Sequence, residues 1–569
     1  MLIEALLAAL ANPVAPNAPA CAPFLVASTV TQSAAELVAS GRAHLEAGRF
    51  AEARADLERA VALDESFATS MWLLRLDVAE GRPEEVLGQL SRLRRDGQRG
   101  PDMDYSVGIA LAAQCEADIA AGGGGQTGLM LQDAEGKLNA ALETDPERYG
   151  DAWLVLARVT RNLGDSAGSL TAASRAAERD PSSIEAQELI GRAALGMFAA
   201  RASEDPRPDE VSAYFDQART ALVHGLELAG EPGDFAGQQR VAGLWNVLGD
   251  LHAWGGDLEA ARAAYGEALG WDPNAVNIGQ IRGTLGEHFI SALEFGEERF
   301  TARFGERDSR DATLLWWLGW ALYATGDRAR LDDAEAAFEA CVAKWPAYIN
   351  SWYWLGRIRY DQQDYGGSIA ALRENWIAGR ADLVASVSAD GLDPDRIEYM
   401  VGWCAQRDAF DDAAFLSEVL CEVRPQEPRF WNNLGLFLRD STAQLALTLE
   451  DDDELGWSEV QAGYERSFEA YDRALQMVPD SPAFLNDAAV LLHYYLERDY
   501  DKALEMYARA KDLAEQQLES GKLSADERPI IEIALRDAKN NSRLLREKIE
   551  KERKAAEEAD AAGAGSDQG

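Results

Sequence analysis

The residue groupings that could carry chemistry are few, and each is contradicted by its surroundings. Gly123, Gly125 and Gly128 satisfy the GxGxxG spacing, whose backbone amides wrap a dinucleotide phosphate. The run follows a helical pattern rather than a strand, and Leu129 and Met130 stand where a phosphate loop needs Lys and Ser or Thr. It reads as a flexible turn between two helices. Glu450, Asp451, Asp452, Asp453 and Glu454 offer carboxylates for calcium. A calcium loop spaces its ligands at alternate positions around a turn glycine, whereas this run is contiguous, so it reads as a solvated insertion between Arg439 and Tyr464. The five cysteines, Cys21, Cys115, Cys341, Cys404 and Cys421, form no close pair, and the five histidines form no HExxH or paired spacing. Apolar thiols are expected, and neither a disulfide framework nor a metal site. No Ser/His/Asp or Cys/His arrangement is suggested by spacing. The sequence therefore leads to no enzyme, no catalytic residue, no metal and no cofactor.

What remains is how such a chain could bind. Its 569 residues are 47% hydrophobic and 27% charged, enough for a core and too apolar for global disorder. Against 97 Asp and Glu stand 55 Lys and Arg, a formal charge of -42. A field of that sign opposes every phosphate contact, which argues against a nucleic-acid partner and an anionic membrane surface. No apolar run is long enough for a transmembrane segment.

The first 41 residues contain no Lys or Arg. A secretory signal wants a basic start, although Ala18 and Ala20 suit a cleavage site. Residues 1–33 are read as a disordered leader or weak signal-like segment of a cytoplasmic chain, with export as the alternative.

The elements that would position any site emerge from self-similarity. Trp245-Asn246-Val247-Leu248-Gly249 is followed by Gly256-Asp257, Ala261, Tyr265, Ala268 and Asp272-Pro273. Trp316 to Gly319, with Gly326, Ala334, Phe338, Cys341 and Pro346, repeats this order. Trp431-Asn432-Asn433-Leu434-Gly435 opens another copy, closed after an insertion by Ser467, Tyr471, Ala474 and Pro479. In each unit the first helix carries a large residue at its fourth position and a small one at its eighth, so that large and small residues interdigitate between helices. Pro146, Pro181, Pro273, Pro346, Pro425 and Pro479 each end a second helix.

These units resemble tetratricopeptide repeats, helix-turn-helix units of 34 residues, in a multi-repeat array of bacterial type. About nine to eleven copies run from Ala34 to Leu518. The resemblance implies an all-α fold, a right-handed superhelical solenoid of hairpins rather than separate globular domains. It divides into an N-terminal array with insertions (34–222), a central array (223–349), a C-terminal array (350–518) with an acidic insertion (440–463), a capping helix (519–550) and a charged disordered tail (551–569). Ser524 and Glu527 suit a capping box, and Ile530, Ile533, Ala534, Asp537, Asn541, Leu544 and Leu545 form the cap's expected apolar stripe.

Tetratricopeptide arrays hold peptide segments in a concave groove lined by first helices, and the resemblance implies groove positions at the second, fifth, ninth and twelfth residues. These are Asn246 and Asp250; Trp316, Trp320 and Tyr323; Asn350, Tyr353, Arg357 and Tyr360; Arg429, Asn432 and Arg439; and Asn486 and His493. The five aromatics offer contact area at low conformational cost. The asparagines can bond a ligand backbone, and the arginines place positive charge in an acidic molecule. The lysine-based carboxylate clamp of some co-chaperone repeats is not matched, since no Lys occupies these positions. The function expected is a non-enzymatic scaffold or adaptor that holds a partner protein or peptide of unnamed identity, in an oligomeric state left open. The alternatives are a regulatory or substrate-recruiting subunit of a separately encoded enzyme and an exported structural or assembly protein.

Overall fold

Helices follow one another along the protein, most of them packed on a helix adjacent in sequence, and no strand occurs among the described residues. The structure, a computed structural model, describes residues 32–566 except 206, 349 and 392, with side chains described to 558. The expected leader and Cys21 therefore lie outside the described residues, apart from the leader's last two positions. The chain divides into two compact units, Met1–Leu228 and Ala229–Gly569.

In the first unit the helix Ala34–Glu46 starts where the repeat grid places it. Its cap is a reciprocal pair: the Ser33 amide donates to Glu36 Oε2 (2.8 Å), and the Glu36 amide to Ser33 Oγ (3.3 Å). The helix Phe50–Leu63 folds back on it, and the close approach depends on Gly41, where an added Cβ would lie 2.6 Å from Leu57 Cγ. The glycine run 122–125 turns the chain between the helices Pro101–Ala120 and Thr127–Thr144.

The second unit opens on the hairpin Phe235–Gly255 and Leu258–Trp271 and repeats the device with a larger partner. A Cβ on Gly249 would meet the Tyr265 ring at 2.6 Å, and one on Gly435 the Tyr471 ring at 2.7 Å. Where Ser replaces Ala at the small position of the second helix, its hydroxyl bonds across the hairpin. Ser169 donates to the Ala157 carbonyl (2.9 Å), Ser368 to that of Gly356 (2.7 Å) and Ser467 to that of Gly435 (2.6 Å).

Two expectations are corrected and a third gains detail. The acidic insertion 440–463 is largely helical: the helices Pro428–Ala446 and Glu454–Met477 lengthen into it, leaving only 447–453 outside a helix. The terminal helix runs from Glu527 to Ser566, so the run after 550, expected to be disordered, is helical that far. Its N-terminus has the expected box, with the Ser524 amide donating to Glu527 Oε2 (2.9 Å) and the Glu527 amide to Ser524 Oγ (3.2 Å). Its buried face is Ile531, Ala534, Ala538 and Leu545; Ala534 and Leu545 are buried as the expected stripe has them, whereas Ile530 and Ile533 are exposed and Ile531 and Ala538 take their place.

Candidate functional site

The groove positions of the second unit are for the most part engaged within the protein. Asn246 is half-buried, and Asp250 accepts the Tyr265 hydroxyl at 2.6 Å. On the helix Ala312–Ala324, Trp316 Nε1 donates to Asn350 Oδ1 (3.1 Å) and its ring stands edge-on to Trp317. Trp320 packs on Trp317 and lies under the Arg282 guanidinium, 4.4 Å from its centroid. Tyr323 donates to Asp361 (2.8 Å) and leans on Trp354. Asn350 adopts a left-handed φ of 36° as the residue before the helix Ser351–Asp361.

Tyr353 is only 4% exposed, and its hydroxyl donates to the buried Asp393 carboxylate while accepting from Arg357 Nη1 (3.2 Å). Burial pushes its phenol well up. Arg357 pairs with Asp390 at 2.8 Å, and Tyr360 packs edge-on to Tyr365. Asn432 is buried, its amide donating to Asp487 (3.2 Å), and Asn486, the neighbour of Asp487 in sequence, is buried too. Arg439 pairs with Asp440 (2.7 Å) and lies over the Tyr495 ring. Arg429 is exposed, lying over Phe430 and paired with Glu398.

His493 is 2% exposed, stacked on Tyr494 and 3.4 Å from the Tyr507 hydroxyl. Burial first, and then the Lys548 ammonium, push its imidazole down to about 4. Tyr353, Asn432, Asn486 and His493 were expected to face the groove; they are interior residues instead. The displacement of His493 has a local cause. Residues Leu491–Tyr495 form a π-helical turn, which adds a residue to the turn and rotates its side chains out of the α-helical register.

The open cleft lies in the first unit, on positions outside the expected set. It has a volume of about 460 Å³ and is lined by the helices Ala34–Glu46, Phe67–Ala79 and Ala152–Asn162, with the end of Ser166–Arg179. Arg42, Arg75, Arg158 and Arg179 converge on it beside Trp72, Phe50 and Leu154. A sequence signal for it exists: Gly41-Arg42 and Ala157-Arg158 each place Arg at the ninth position, directly after the small residue. Arg158 is held by Glu116 and Glu185, both at 2.7 Å. The Arg42 guanidinium lies 4.0 Å from the centroid of the Trp72 ring. Tyr105, buried behind the cleft, donates to Asp151 Oδ2 at 2.7 Å.

Cys115, Cys341, Cys404 and Cys421 are free and buried, and burial pushes the Cys341 and Cys404 thiols up to about 11. Among the described residues, no group of three or more His, Cys, Asp or Glu is placed to hold a metal ion, and no helix is long and apolar enough to cross a membrane.

With this geometry the comparisons agree. The tetratricopeptide repeat profile matches residues 38–86 and 326–374, and a second profile of that description matches 242–275. The chain carries tetratricopeptide repeats in an all-α solenoid of helical hairpins, a repeat class that serves as protein-interaction scaffolding. Among solved structures it is similar to the tetratricopeptide domain of P58(IPK), at 15% identity over 77% of this chain and 98% of that one, with a TM-score of 0.19. It is also similar to yeast Tom70, at 13% identity over 91% of this chain and 99% of that one, with a TM-score of 0.21. At those scores the fold assignment rests on the hairpins and the repeat profiles. No curated protein matches the sequence.

Proposed function

We propose that the protein is a non-enzymatic scaffold that holds a segment of a partner protein against its first-helix faces. The observation that carries this reading is the open cleft of the first unit, where three first helices contribute side chains to one concavity. A groove with apolar walls and a few polar groups suits an extended segment, because the walls supply contact area and the polar groups fix its register. In the second unit the half-buried or exposed members of the expected set, Asn246, Trp316, Trp320, Tyr323, Asn350, Arg357, Tyr360, Arg429 and Arg439, form a second contact region. The net charge of -42 favours a protein partner over nucleic acid. A cytoplasmic location belongs to this reading, and N-terminal sequencing of the mature chain tests it.

The function is tested by affinity capture from cell extract with the full chain as bait. Capture of a protein that is lost on Phe50→Ala, with the circular dichroism spectrum unchanged, supports the cleft as the contact face. Capture lost on Trp320→Ala alone moves the contact to the second unit. A bait that retains no protein overturns the scaffold reading.

A further inference from the structure

We propose that the turn between the helices Pro428–Ala446 and Glu454–Met477 is a docking tip for a basic amphipathic segment of a partner protein. Leu447 and Leu455 meet the apolar side of that segment, and the run Glu450 to Glu454 meets its lysines or arginines. The tip is a turn between two helices rather than a first-helix face, so it goes beyond the scaffold reading.

The hairpin that bears it is long. Its second helix has 24 residues, where Leu258–Trp271 and Phe410–Val423 have 14. On one side the Gln444 amide donates to the Asp408 carbonyl (2.9 Å), in the turn of the preceding hairpin. On the other, Glu465 accepts from Arg498 (2.7 Å), in the turn before Tyr500–Glu519. Both neighbours reverse direction at that level, and the chain between Gln444 and Glu465 continues past them.

This extension is packed like the repeats themselves. Val460 is buried, and a Cβ on Gly456 would lie 2.6 Å from Leu449 Cδ2. Asp453 accepts the Gly456 amide (2.9 Å), and the Trp457 indole donates to the Glu450 carbonyl (3.0 Å). The turn is thus formed before any partner arrives, which lowers the entropy lost on binding. What it presents is apolar. Leu449 packs inward, but Leu447 is 88% exposed and Leu455 74%. Leu447 is the most exposed large apolar side chain among the described residues. A turn that required only solvation would carry polar residues at both positions, because each leucine in water is unfavourable until something covers it.

Charge decides what covers it. From Asp440 to Glu465 the chain has eight carboxylates and no Lys or Arg. Arg439 and Arg466, which flank this stretch, pair with Asp440 and Glu418, and none of the five carboxylates from Glu450 to Glu454 has an ion pair among the described residues. Carboxylates crowded round exposed leucines repel an acidic protein, the same tip of a second copy and an anionic lipid surface alike. They attract a segment that sets cations beside apolar residues.

The test uses the full chain and three fluorescein-labelled peptides in fluorescence anisotropy at low salt. One is an amphipathic Leu/Lys peptide, one replaces its Lys with Gln, and one replaces its Leu with Ser. The Leu/Lys peptide is expected to bind at least about tenfold tighter than either of the others. Leu447→Ser combined with Leu455→Ser lowers its affinity about tenfold with the circular dichroism spectrum unchanged. Asp451→Asn combined with Asp452→Asn also lowers it and flattens its salt dependence. Leu129→Ser, at a leucine 71% exposed in the first unit, leaves it unchanged. Equal binding of the Leu/Lys and Ser/Lys peptides assigns the attraction to net charge and overturns the proposal. Equal binding of the Leu/Lys and Leu/Gln peptides, an affinity that survives both double variants, an equal loss on Leu129→Ser, or no binding at millimolar concentration overturns it as well. Sedimentation with phosphatidylcholine vesicles that depends on Leu447 and Leu455 makes the tip a membrane contact and likewise overturns it. Capture through Phe50 tests the cleft and stands or falls apart from all of these outcomes.

Discussion

The two units use one hairpin design, and most of their hairpins differ in the residue at the large position of the second helix. In Met1–Leu228 the glycines Gly41, Gly108 and Gly191 approach Leu57, Leu138 and Leu222. In Ala229–Gly569 the glycines Gly249, Gly319 and Gly435 approach Tyr265, Phe338 and Tyr471. A leucine ends below the groove face and offers no bond there; under Gly356 in the second unit the large position is also a leucine, Leu372, and Arg357 above it is bonded by Asp390 instead. Tyr265 carries its hydroxyl through to the face and bonds Asp250. The second unit uses many of its first-helix polar groups internally, largely through carboxylates such as Asp390 and Asp487, whereas in the first unit Arg42 lines its cleft without an ion pair among the described residues.

That contrast can be broken experimentally, most severely through the second unit's interior. Lys344 pairs with Asp311, whose side chain is 0% exposed. Lys344→Ala leaves that carboxylate buried without its cation and is expected to cost about 3–5 kcal/mol in urea unfolding. Tryptophan emission is the appropriate signal, because only Trp72 and Trp153 precede residue 229 among the 15 tryptophans. Next, Gly249→Ala forces a methyl into the Tyr265 ring and should cost up to about 3 kcal/mol. Gly136→Ala in the first unit, with open space around the new methyl, should be neutral or stabilising by up to about 1 kcal/mol.

A third prediction concerns pH. His493 titrates at about 4 in the fold against 6.5 ordinarily. Above pH 6.5 it is neutral whether the chain is folded or not. Between 6.5 and 4 only the unfolded chain takes up the proton, so stability falls as the pH drops through this window. From pH 7 to 5 the loss amounts to about 2 kcal/mol. His493→Phe should remove that part of the slope in urea midpoints measured at the two pH values. The smallest effect belongs to the first unit: Arg42→Gln should change stability by less than about 0.5 kcal/mol. A loss of several kcal/mol, measured by circular dichroism in urea, would make Arg42 structural and erase the contrast.

The repeat architecture was legible because it depends on spacing within a hairpin. Gly249 with Tyr265, Gly319 with Phe338 and the prolines that close second helices reflect close approach and the loss of a backbone donor. The groove was less legible because exposure depends on neighbouring hairpins. Nothing in the residues around Tyr353 announces that Asp393, 40 positions later, will bury its hydroxyl. The π-helical turn at Leu491–Tyr495 likewise displaced His493 from a register assumed to be α-helical. The first-unit arginines Arg42 and Arg158 occupy the ninth position of the same grid, and they fell outside the expected set because that set began at Asn246.

The serine hydroxyls that bond across three hairpins have a further consequence. Ser169, Ser368 and Ser467 occupy a position where Ala53, Ala261, Ala334 and Ala503 stand in other repeats, so Ser and Ala exchange there within one geometry. Each buried hydroxyl bond adds roughly 1 kcal/mol to a single hairpin. In a stack whose members depend on their nearest neighbours, such increments set the sequence in which segments open. Amide hydrogens in the serine-bonded hairpins should then exchange with solvent more slowly than those of comparable alanine-bearing ones, giving the chain a graded pattern of local opening along its length.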